Sequence, residues 1–573
     1  MLFLFALLTL VLSSPISNDQ DVNTPIVQIQ NGTISGKYIT SFNQDAFLGL
    51  PFAEPPLGSL RFKPPQSYNH SWDSTRNFTE FGDACIASSG IYTFPKSEDC
   101  LNLNIVRPHG LGKDAKLPVG IWIHGGSFTE GSGRSPEFNL SWVIQNSIDI
   151  GKPIIGITIN YRLNGFGFLK SDEIQRKGWT NIGLRDQIKA IEWIHENIAE
   201  FGGDPNHLVL WGESAGSVSI GKILSQSKYL DTNYIKGAIM QSGSNIVPLV
   251  KPADIKPSQD DFLSVVKYVD CFNNVSDYIE CLQKVDSDKL RDAFKLANKI
   301  VKVGYKYPYL DGDVLPKSSY ETLRNNDDDF MKIPILLGTT TDEGSTFINQ
   351  SLSTKQQVKS YLLNNSPNIN NETIDQLLNL YSPDNPETIV PQDPTYNNTP
   401  IVYPEGITGD EYKTLGMLYG DLIFIAGTRI TSRIYSQHQI PVFKYRFNIP
   451  SHKTFSKPYV GVTHAQDLVY VFDNRLTNNE SEEDNLTSFY PDPRAPDIAN
   501  TISKAWISFI YNLDPNIQDS NKLKAELPNW TRYGDTKPGK NMVFDLKGNH
   551  LEDDVFRVEQ IEFIESILSQ LNA

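Results

Sequence analysis

The chain has 573 residues, of which 39% are hydrophobic and 11% aromatic, enough apolar side chains to build a large core. Its formal net charge of −16 disfavours nucleic acid or an anionic membrane surface as a partner. The length alone suggests several domains, but large α/β folds also grow by insertion, so we expect one domain over residues 20–573.

Residues 1–19 are predicted to be a secretory signal peptide. The apolar run Leu2–Leu12 is too short to cross a bilayer, and small serines follow it. Cleavage directly after Ser14 is disfavoured because Pro15 would follow the cut. Since no later stretch is a continuous apolar 18-mer, we expect no stable membrane insertion. The protein is therefore predicted to be secreted or held in a secretory-pathway vesicle.

Short apolar runs bounded by turn residues predict a large sheet. The segment Pro25–Gly58 alternates apolar and polar residues between glycines, which predicts antiparallel strands. Continuous apolar runs are typical of strands buried on both faces. Such runs lie at 118–125, 153–161, Leu208–Trp211, Ala238–Met240, Ile335–Gly338 and Val442–Tyr445.

Helical patterns alternate with these strands. Apolar residues at three- and four-residue spacing predict helices over Leu184–Phe201 and Ile502–Tyr511. Strands alternating with helices indicate an α/β fold, with a mostly parallel sheet covered on both faces. Residues 350–410 are rich in Asn, Pro, Ser and Thr and are interpreted as a surface insertion of helices and loops.

The sequence Gly-Glu-Ser-Ala-Gly at residues 212–216 carries the clearest chemical indication. It follows the predicted strand Leu208–Trp211 and precedes a predicted helix over Ser217–Leu224. The Gly-x-Ser-x-Gly pattern is common, but between a strand and a helix it forms a sharp turn that exposes the serine hydroxyl. The context therefore predicts Ser214 as the nucleophile of an acyl-transfer reaction.

Acyl transfer also needs donors for the oxyanion of its tetrahedral intermediate. The sequence His-Gly-Gly-Ser-Phe at residues 124–128 follows a predicted strand, and its two glycines allow a close backbone approach to a substrate. The residue after the nucleophile usually supplies another amide. Gly125, Gly126 and Ala215 are therefore candidates for the oxyanion hole.

The general base should be one of nine histidines, because an imidazole exchanges protons near neutral pH. The chain order Ser, acid, His leaves four candidates: His438, His452, His464 and His550. The favoured one is His464, which lies in a loop before the apolar run Leu468–Phe472, and His550 is the alternative.

The acid should follow a strand between the nucleophile and the base. Asp342 and Glu343 both come just after the predicted strand Ile335–Gly338. Asp311 and Asp313 are alternatives further upstream. Spacing alone cannot choose between the two neighbouring acids.

Four cysteines and twelve Asn-x-Ser/Thr sequons fit an exported protein. The pairings Cys85–Cys100 and Cys271–Cys281 are favoured because each closes a short loop. No Cys-x-x-Cys or clustered histidines accompany the cysteines, so no metal site is predicted. Candidate glycosylation sites are Asn31, Asn69, Asn77, Asn139, Asn274, Asn349, Asn364, Asn371, Asn397, Asn479, Asn485 and Asn529, of which only a part is expected to carry sugar.

Longer motifs in a consistent order resemble the type-B carboxylesterases, the group that contains cholinesterases, bile-salt lipases and the inactive neuroligins. The resemblance runs from about Ile26 to about Phe563. It rests on the segments Phe47–Phe62, Glu98–Asn104, Asn160–Leu163, Gly183–Gln187, Phe201–Pro205 and Gln241–Ser244, besides the serine motif.

The resemblance implies an α/β-hydrolase fold and a serine carboxylic ester hydrolase that uses no cofactor and acts on a small-molecule ester. It implies Ser214 as nucleophile, Glu343 as acid and His464 as base. It also implies the three-donor oxyanion hole and the two local disulfides described above. It says nothing of oligomeric state or of acyl and alcohol preference.

One departure from the family bears on the substrate. Cholinesterases hold a quaternary ammonium against a Trp in the loop closed by the first disulfide. Here that loop, Ile86–Asp99, contains Tyr92 and Phe94 but no Trp. We therefore expect neutral carboxylic esters as substrates, with lipase action, or an adhesion or storage role on an inactive scaffold, as alternatives.

Overall fold

The structure is a computed structural model that describes residues 23–88, 93–231, 233–247, 255–273, 277–300, 307–365, 369–382, 406–450, 457–474 and 492–571. The predicted signal peptide, residues 1–19, lies outside these ranges, so its assignment stays a prediction.

Eleven strands of the described chain form the central sheet. In chain order, β1 to β11 are Lys37–Ile39, Gln44–Pro51, Asn102–Pro108, Leu117–Ile123, Ile155–Ile159, Gly203–Glu213, Ile235–Gln241, Ile335–Thr340, Val442–Phe447, Lys540–Phe544 and His550–Asp553. Their spatial order is β11-β10-β9-β8-β7-β6-β4-β5-β3-β2-β1. The seven strands from β10 to β5 in this order pair in parallel, and the strands at both edges are antiparallel. The predicted mostly parallel sheet is therefore present.

Shorter strands accompany this sheet near the N-terminus. They are Ile26–Ile29, Gly32–Ser35, Arg76–Asn77, Ala84–Cys85 and Lys96–Ser97. The first two pair in an antiparallel hairpin, as the alternating pattern predicted.

The sheet is buried on both faces, and its strands alternate between two apolar clusters. In β6, Leu210 belongs to the cluster on one face and Trp211 to the cluster on the other, and both side chains are fully buried. Because successive side chains of a strand point to opposite faces, such a strand must be apolar throughout. This is why the central strands show as continuous apolar runs in the sequence.

Helices cover both faces of the sheet. The described α-helices are Leu140–Asp149, Asn164–Phe168, Asp172–Lys177, Ile182–Asn197, Ala215–Leu224, Ile255–Tyr268, Tyr278–Leu282, Ser287–Ile300, Ser319–Arg324, Lys355–Asn365, Asn371–Leu380, Tyr412–Gly420, Ala426–Gln437, Leu468–Val471, Ala495–Asn512, Val558–Ser566 and Leu568–Leu571, and a π-helical turn, Asp421–Ile425, joins two of them. No helix in these ranges is long and apolar enough to cross a membrane.

The predicted helix boundaries differ from the observed ones at their ends. The helix expected over Leu184–Phe201 ends at Asn197, and a tighter 3₁₀ turn, Ile198–Phe201, follows it. The one expected over Ile502–Tyr511 begins earlier, at Ala495. Two helices, Lys355–Asn365 and Asn371–Leu380, lie in the predicted insertion 350–410, of which residues 383–405 are outside the described chain.

Candidate active site

Ser214 stands in a sharp turn between β6 and the helix Ala215–Leu224. Its backbone has φ +53° and ψ −121°, which an L-residue adopts only under strain. The flanking glycines make the turn possible, since a Cβ at Gly216 would lie 1.9 Å from the carbonyl oxygen of Ile123. The turn leaves Ser214 partly exposed at the end of a buried strand, where a nucleophile needs to be.

Glu343 and His464 meet although 121 positions separate them. His464 Nδ1 lies 2.6 Å from Glu343 Oε2. The other carboxylate oxygen, Oε1, accepts hydrogen bonds from Ser242 Oγ at 2.6 Å and from the backbone N–H of Thr340 at 2.7 Å. The Glu343 side chain is fully buried and that of His464 is 9% exposed. The carboxylate is thus fixed on three sides and orients the imidazole through Nδ1.

The opposite edge of the imidazole faces the nucleophile turn through Glu213. His464 Nε2 lies 3.1 Å from Glu213 Oε1, and Glu213 directly precedes Ser214. The described residues contain no hydrogen bond between Ser214 Oγ and His464. Catalytic hydrogen bonds are often loose without substrate and tighten when it binds.

Burial and neighbouring charges shift the pKa values of Glu213 and His464. Burial raises the pKa of Glu213 to about 8. Burial opposes the charged form of His464, but the carboxylates of Glu213 and Glu343 outweigh it and raise the pKa of the imidazole to about 9. The two carboxylates therefore stabilise the protonated form of the imidazole.

Two of the three candidate oxyanion donors, Gly125 and Ala215, lie next to Ser214, and the third, Gly126, follows Gly125 in the chain. A Cβ added to Gly125 would be 3.0 Å from Ser214 Cβ, so the two backbones approach closely. Ala215 is the first residue of its helix, where an amide N–H has no acceptor within the helix. Among the hydrogen bonds of the described residues, none uses the N–H of Gly125, Gly126 or Ala215 as donor. These amides are available to a substrate.

His124 holds the loop that carries these glycines. Its Nδ1 donates to the carbonyl oxygen of Gly125 at 2.9 Å, and its ring stacks on Tyr161. Burial lowers the pKa of His124 to about 4, so the ring is neutral. Because Gly125 C=O and Gly126 N–H belong to one rigid trans peptide, holding the oxygen also fixes the direction of the N–H.

Aromatic rings surround the outer part of His464. Phe347 packs edge-on to the imidazole at 5.0 Å between centroids, and Phe424 lies 4.6 Å away. Phe347 keeps 38% of its surface exposed. The site can therefore offer an apolar surface to a substrate beside the candidate base.

The sequence pattern of the carboxylesterase family matches residues 23–563. The chain belongs to this family. It is an ester hydrolase, and the predicted α/β-hydrolase fold is confirmed. A serine mechanism is characteristic of this family.

Individual proteins similar to this carboxylesterase include lipases and esterases of fungi. A secreted triacylglycerol lipase, LIP1 of Gibberella zeae, is 30% identical over 94% of the chain and 89% of its own length. Lipase 4 of Diutina rugosa is 31% identical over 93% of the chain and 94% of its own length. The crystal structure of Aspergillus niger EstA superposes with a TM-score of 0.80 at 26% identity, covering 96% and 99% of the two chains. The prediction of a secreted protein agrees with these relatives.

The other candidate acids of the carboxylesterase contact groups other than an imidazole. Asp342 bonds to Val462 and Lys413 rather than to an imidazole. Asp311 accepts from Thr180 Oγ1 at 2.6 Å. Asp313 pairs with Arg185 at 2.6 Å.

The alternative histidines do not meet Glu343 either. His550 lies on the edge strand β11, with Nδ1 3.0 Å from the carbonyl oxygen of Gly548. His438 Nε2 lies 3.2 Å from the carbonyl oxygen of Leu323. His452 is outside the described residues. Only His464, of the described candidates, is brought to a carboxylate at the nucleophile turn.

Both predicted disulfides, Cys85–Cys100 and Cys271–Cys281, are present in the carboxylesterase. Eight candidate glycosylation sites have exposed or partly exposed asparagines: Asn31, Asn69, Asn77, Asn139, Asn349, Asn364, Asn371 and Asn529. Asn274, Asn397, Asn479 and Asn485 lie outside the described residues. Glycosylation stays a prediction at all twelve candidate asparagines. The described residues hold no group of three His, Cys, Asp or Glu side chains placed to bind a metal ion.

Proposed function

We propose that Ser214, His464 and Glu343 are the catalytic triad of this carboxylesterase and that it hydrolyses neutral carboxylic esters through an acyl-enzyme. The proposal rests on one observation above all. The 2.6 Å contact between His464 Nδ1 and Glu343 Oε2 leaves the other imidazole nitrogen facing the turn that carries Ser214.

The proposed reaction has two half-reactions. Ser214 Oγ attacks the ester carbonyl carbon while His464 Nε2 takes its proton, and the amides of Gly125, Gly126 and Ala215 bind the oxyanion. The C–O bond to the alcohol breaks, and the alcohol leaves with the proton from His464. Water then attacks the acyl-enzyme with His464 again as base, which releases the acid and restores the serine.

The character of the surroundings supports a neutral substrate. Phe347 and Phe424 present apolar rings beside the base, and Glu213, the acid nearest to Ser214, already faces His464. The first disulfide loop supplies no Trp for a cation. An uncharged acyl or alcohol group fits this surface better than an ammonium.

Replacement of the nucleophile tests the proposal. Ser214→Ala should reduce turnover of p-nitrophenyl butyrate by about 10⁴-fold or more, because the attacking oxygen is lost. It should also abolish the adduct formed with a fluorophosphonate probe. Ser217→Ala is the matched control, since Ser217 Oγ is buried one turn further along the helix without a hydrogen-bond partner among the described residues. Normal turnover by Ser214→Ala would refute the assignment.

Lipase action on aggregated lipid is the second candidate, because two relatives at about 30% identity carry that name. It uses the same side chains. A rate that rises abruptly when a triglyceride exceeds its solubility would support it. A rate that simply saturates below that limit would favour hydrolysis of dissolved esters.

A further inference from the structure

Asp342, the residue before the candidate acid, joins that acid to the segment that carries the candidate base. Its backbone N–H donates to the carbonyl oxygen of Val462 at 2.9 Å. The N–H of Val462 donates back to Asp342 Oδ2, also at 2.9 Å. Val462 lies two positions before His464, so two hydrogen bonds connect the neighbours of the two catalytic side chains.

The second oxygen of Asp342 is held from a third element. Lys413 Nζ, on the helix Tyr412–Gly420, donates to Asp342 Oδ1 at 3.0 Å. The Asp342 side chain is only 7% exposed and that of Lys413 is 27% exposed. Both carboxylate oxygens thus accept from donors. An amide has one acceptor oxygen and could satisfy only one of these two donors.

The backbone around Asp342 leaves little freedom for this arrangement. Gly461 has φ +70°, and a Cβ there would lie 2.1 Å from Asp342 Oδ2. Ser345 Oγ lies 2.9 Å from the carbonyl oxygen of Asp342 and 2.7 Å from that of Val460. The segment before His464 is therefore packed directly against the carboxylate and the turn that follows it.

We propose that Asp342, held by Lys413, is a positioning residue that fixes His464 relative to Glu343. The inference rests on the proposed triad. Catalytic groups must stay within about 0.5 Å of the productive geometry, and a misplacement of about 1 Å can cost roughly 100-fold in rate. Glu343 and His464 come from separate elements, and Asp342 contacts the backbone of the segment that carries the base. Loss of this positioning should lower kcat rather than raise KM, because Asp342 acts through His464 and not on the substrate.

The test is Asp342→Asn, which places an NH₂ donor against either Val462 N–H or Lys413 Nζ. We expect kcat to fall by about 10- to 100-fold with KM nearly unchanged. The acid limb of the kcat profile should move to lower pH, because a displaced imidazolium loses the stabilising carboxylate of Glu343. Asp313→Asn is the matched control: Asp313 also bridges two cations, Arg185 and Lys228, and should keep the original kcat.

A second substitution separates positioning from general destabilisation. Lys413→Gln supplies an acceptor oxygen for the amide of Asp342→Asn, so the double variant should regain most of the lost kcat. If Asp342→Asn does not fold, Lys413→Met carries the test, with a smaller fall in kcat expected and KM unchanged. An undiminished kcat in the folded single variant, or a loss that the second substitution does not restore, would overturn the proposal.

The same measurements distinguish failure of the inference from failure of the proposed triad. Ester hydrolysis by Ser214→Ala at the original rate would refute the proposed triad. An inactive Ser214→Ala together with a fully active Asp342→Asn leaves the triad standing and rejects the positioning role alone.

Discussion

Replacing Glu213 by Gln should move the acid limb of the pH profile of kcat/KM to lower pH. His464, the proposed base, can act only when its Nε2 is free of a proton. The carboxylate of Glu213, 3.1 Å from Nε2, stabilises the protonated ring and so opposes this state. Gln keeps the shape of the side chain and removes the charge.

The size of the shift follows from the contacts of His464. An opposite charge within about 4–6 Å shifts a pKa by roughly 1–3 units. The imidazole keeps its second carboxylate, Glu343 at 2.6 Å, after the substitution. We therefore expect the pKa of His464 to fall from about 9 by about 1–2 units. Each unit corresponds to about 1.4 kcal/mol of interaction with the charged ring.

The assay is initial-rate kinetics with p-nitrophenyl butyrate across the pH range in which the protein stays folded. Glu196→Gln is the control, because it removes the same charge from an exposed position on the helix Ile182–Asn197. That variant should keep the original profile. An acid limb of Glu213→Gln that stays in place or moves to higher pH would contradict the coupling between Glu213 and His464.

Two further predictions concern side chains behind the site. His124→Ala removes the hydrogen bond to the carbonyl oxygen of Gly125, so the Gly126 N–H is no longer held in one direction. We expect kcat to fall by up to roughly 100- to 1000-fold, the cost of losing one oxyanion donor. An unchanged kcat would show that the loop needs no such support. Burial lowers the pKa of Lys222 from 10.5 to about 8, so between these pH values the unfolded chain holds a proton that the folded chain lacks. The free energy of unfolding should rise with pH in this window. Lys222→Met should remove that slope, which denaturant unfolding at pH 7 and pH 10 would measure. Equal slopes in both proteins would contradict the prediction.

The parts of the site that lie in one short window could be predicted from the residues alone. The turn at residues 212–216 is defined by two glycines and by the strand and helix that flank it, so Ser214 stands out. The candidate oxyanion loop at Gly125 and Gly126 follows a buried strand in the same manner. Local steric rules suffice for such features, because the residues that constrain each other are neighbours in the chain.

The pairing of Glu343 with His464 could not be obtained in that way. These residues are 121 positions apart, and spacing left Asp342 and His550 open as alternatives. The choice came from the resemblance to a family. The two neighbouring acids differ in their contacts in the folded chain. Glu343 accepts hydrogen bonds from Ser242 Oγ and His464 Nδ1. Asp342 accepts them from the Val462 N–H and Lys413 Nζ.

Sequence reasoning also missed contacts that no motif encodes. Glu213 was visible beside the nucleophile, but its approach to His464 was not expected. Ser242 lies in the segment Gln241–Ser244 that supported the resemblance, yet its role as a donor to Glu343 depends on the register of β7 against β8. Phe424 had no recognisable pattern around it.

A helical segment without any catalytic motif contacts both the candidate base, His464, and Asp342. Tyr412–Gly420, the π-helical turn Asp421–Ile425 and Ala426–Gln437 are continuous in the chain. A π-helical turn changes the angular phase of the residues that follow it, and such turns are frequent at functional sites. Here Lys413 reaches Asp342, and Phe424 packs on the imidazole of His464. Asp421 anchors the turn through two buried 2.6 Å hydrogen bonds from Arg557. Removing one residue from this turn would rotate Lys413 and Phe424 apart by about 100°, so the turn has to be kept for one segment to serve both contacts.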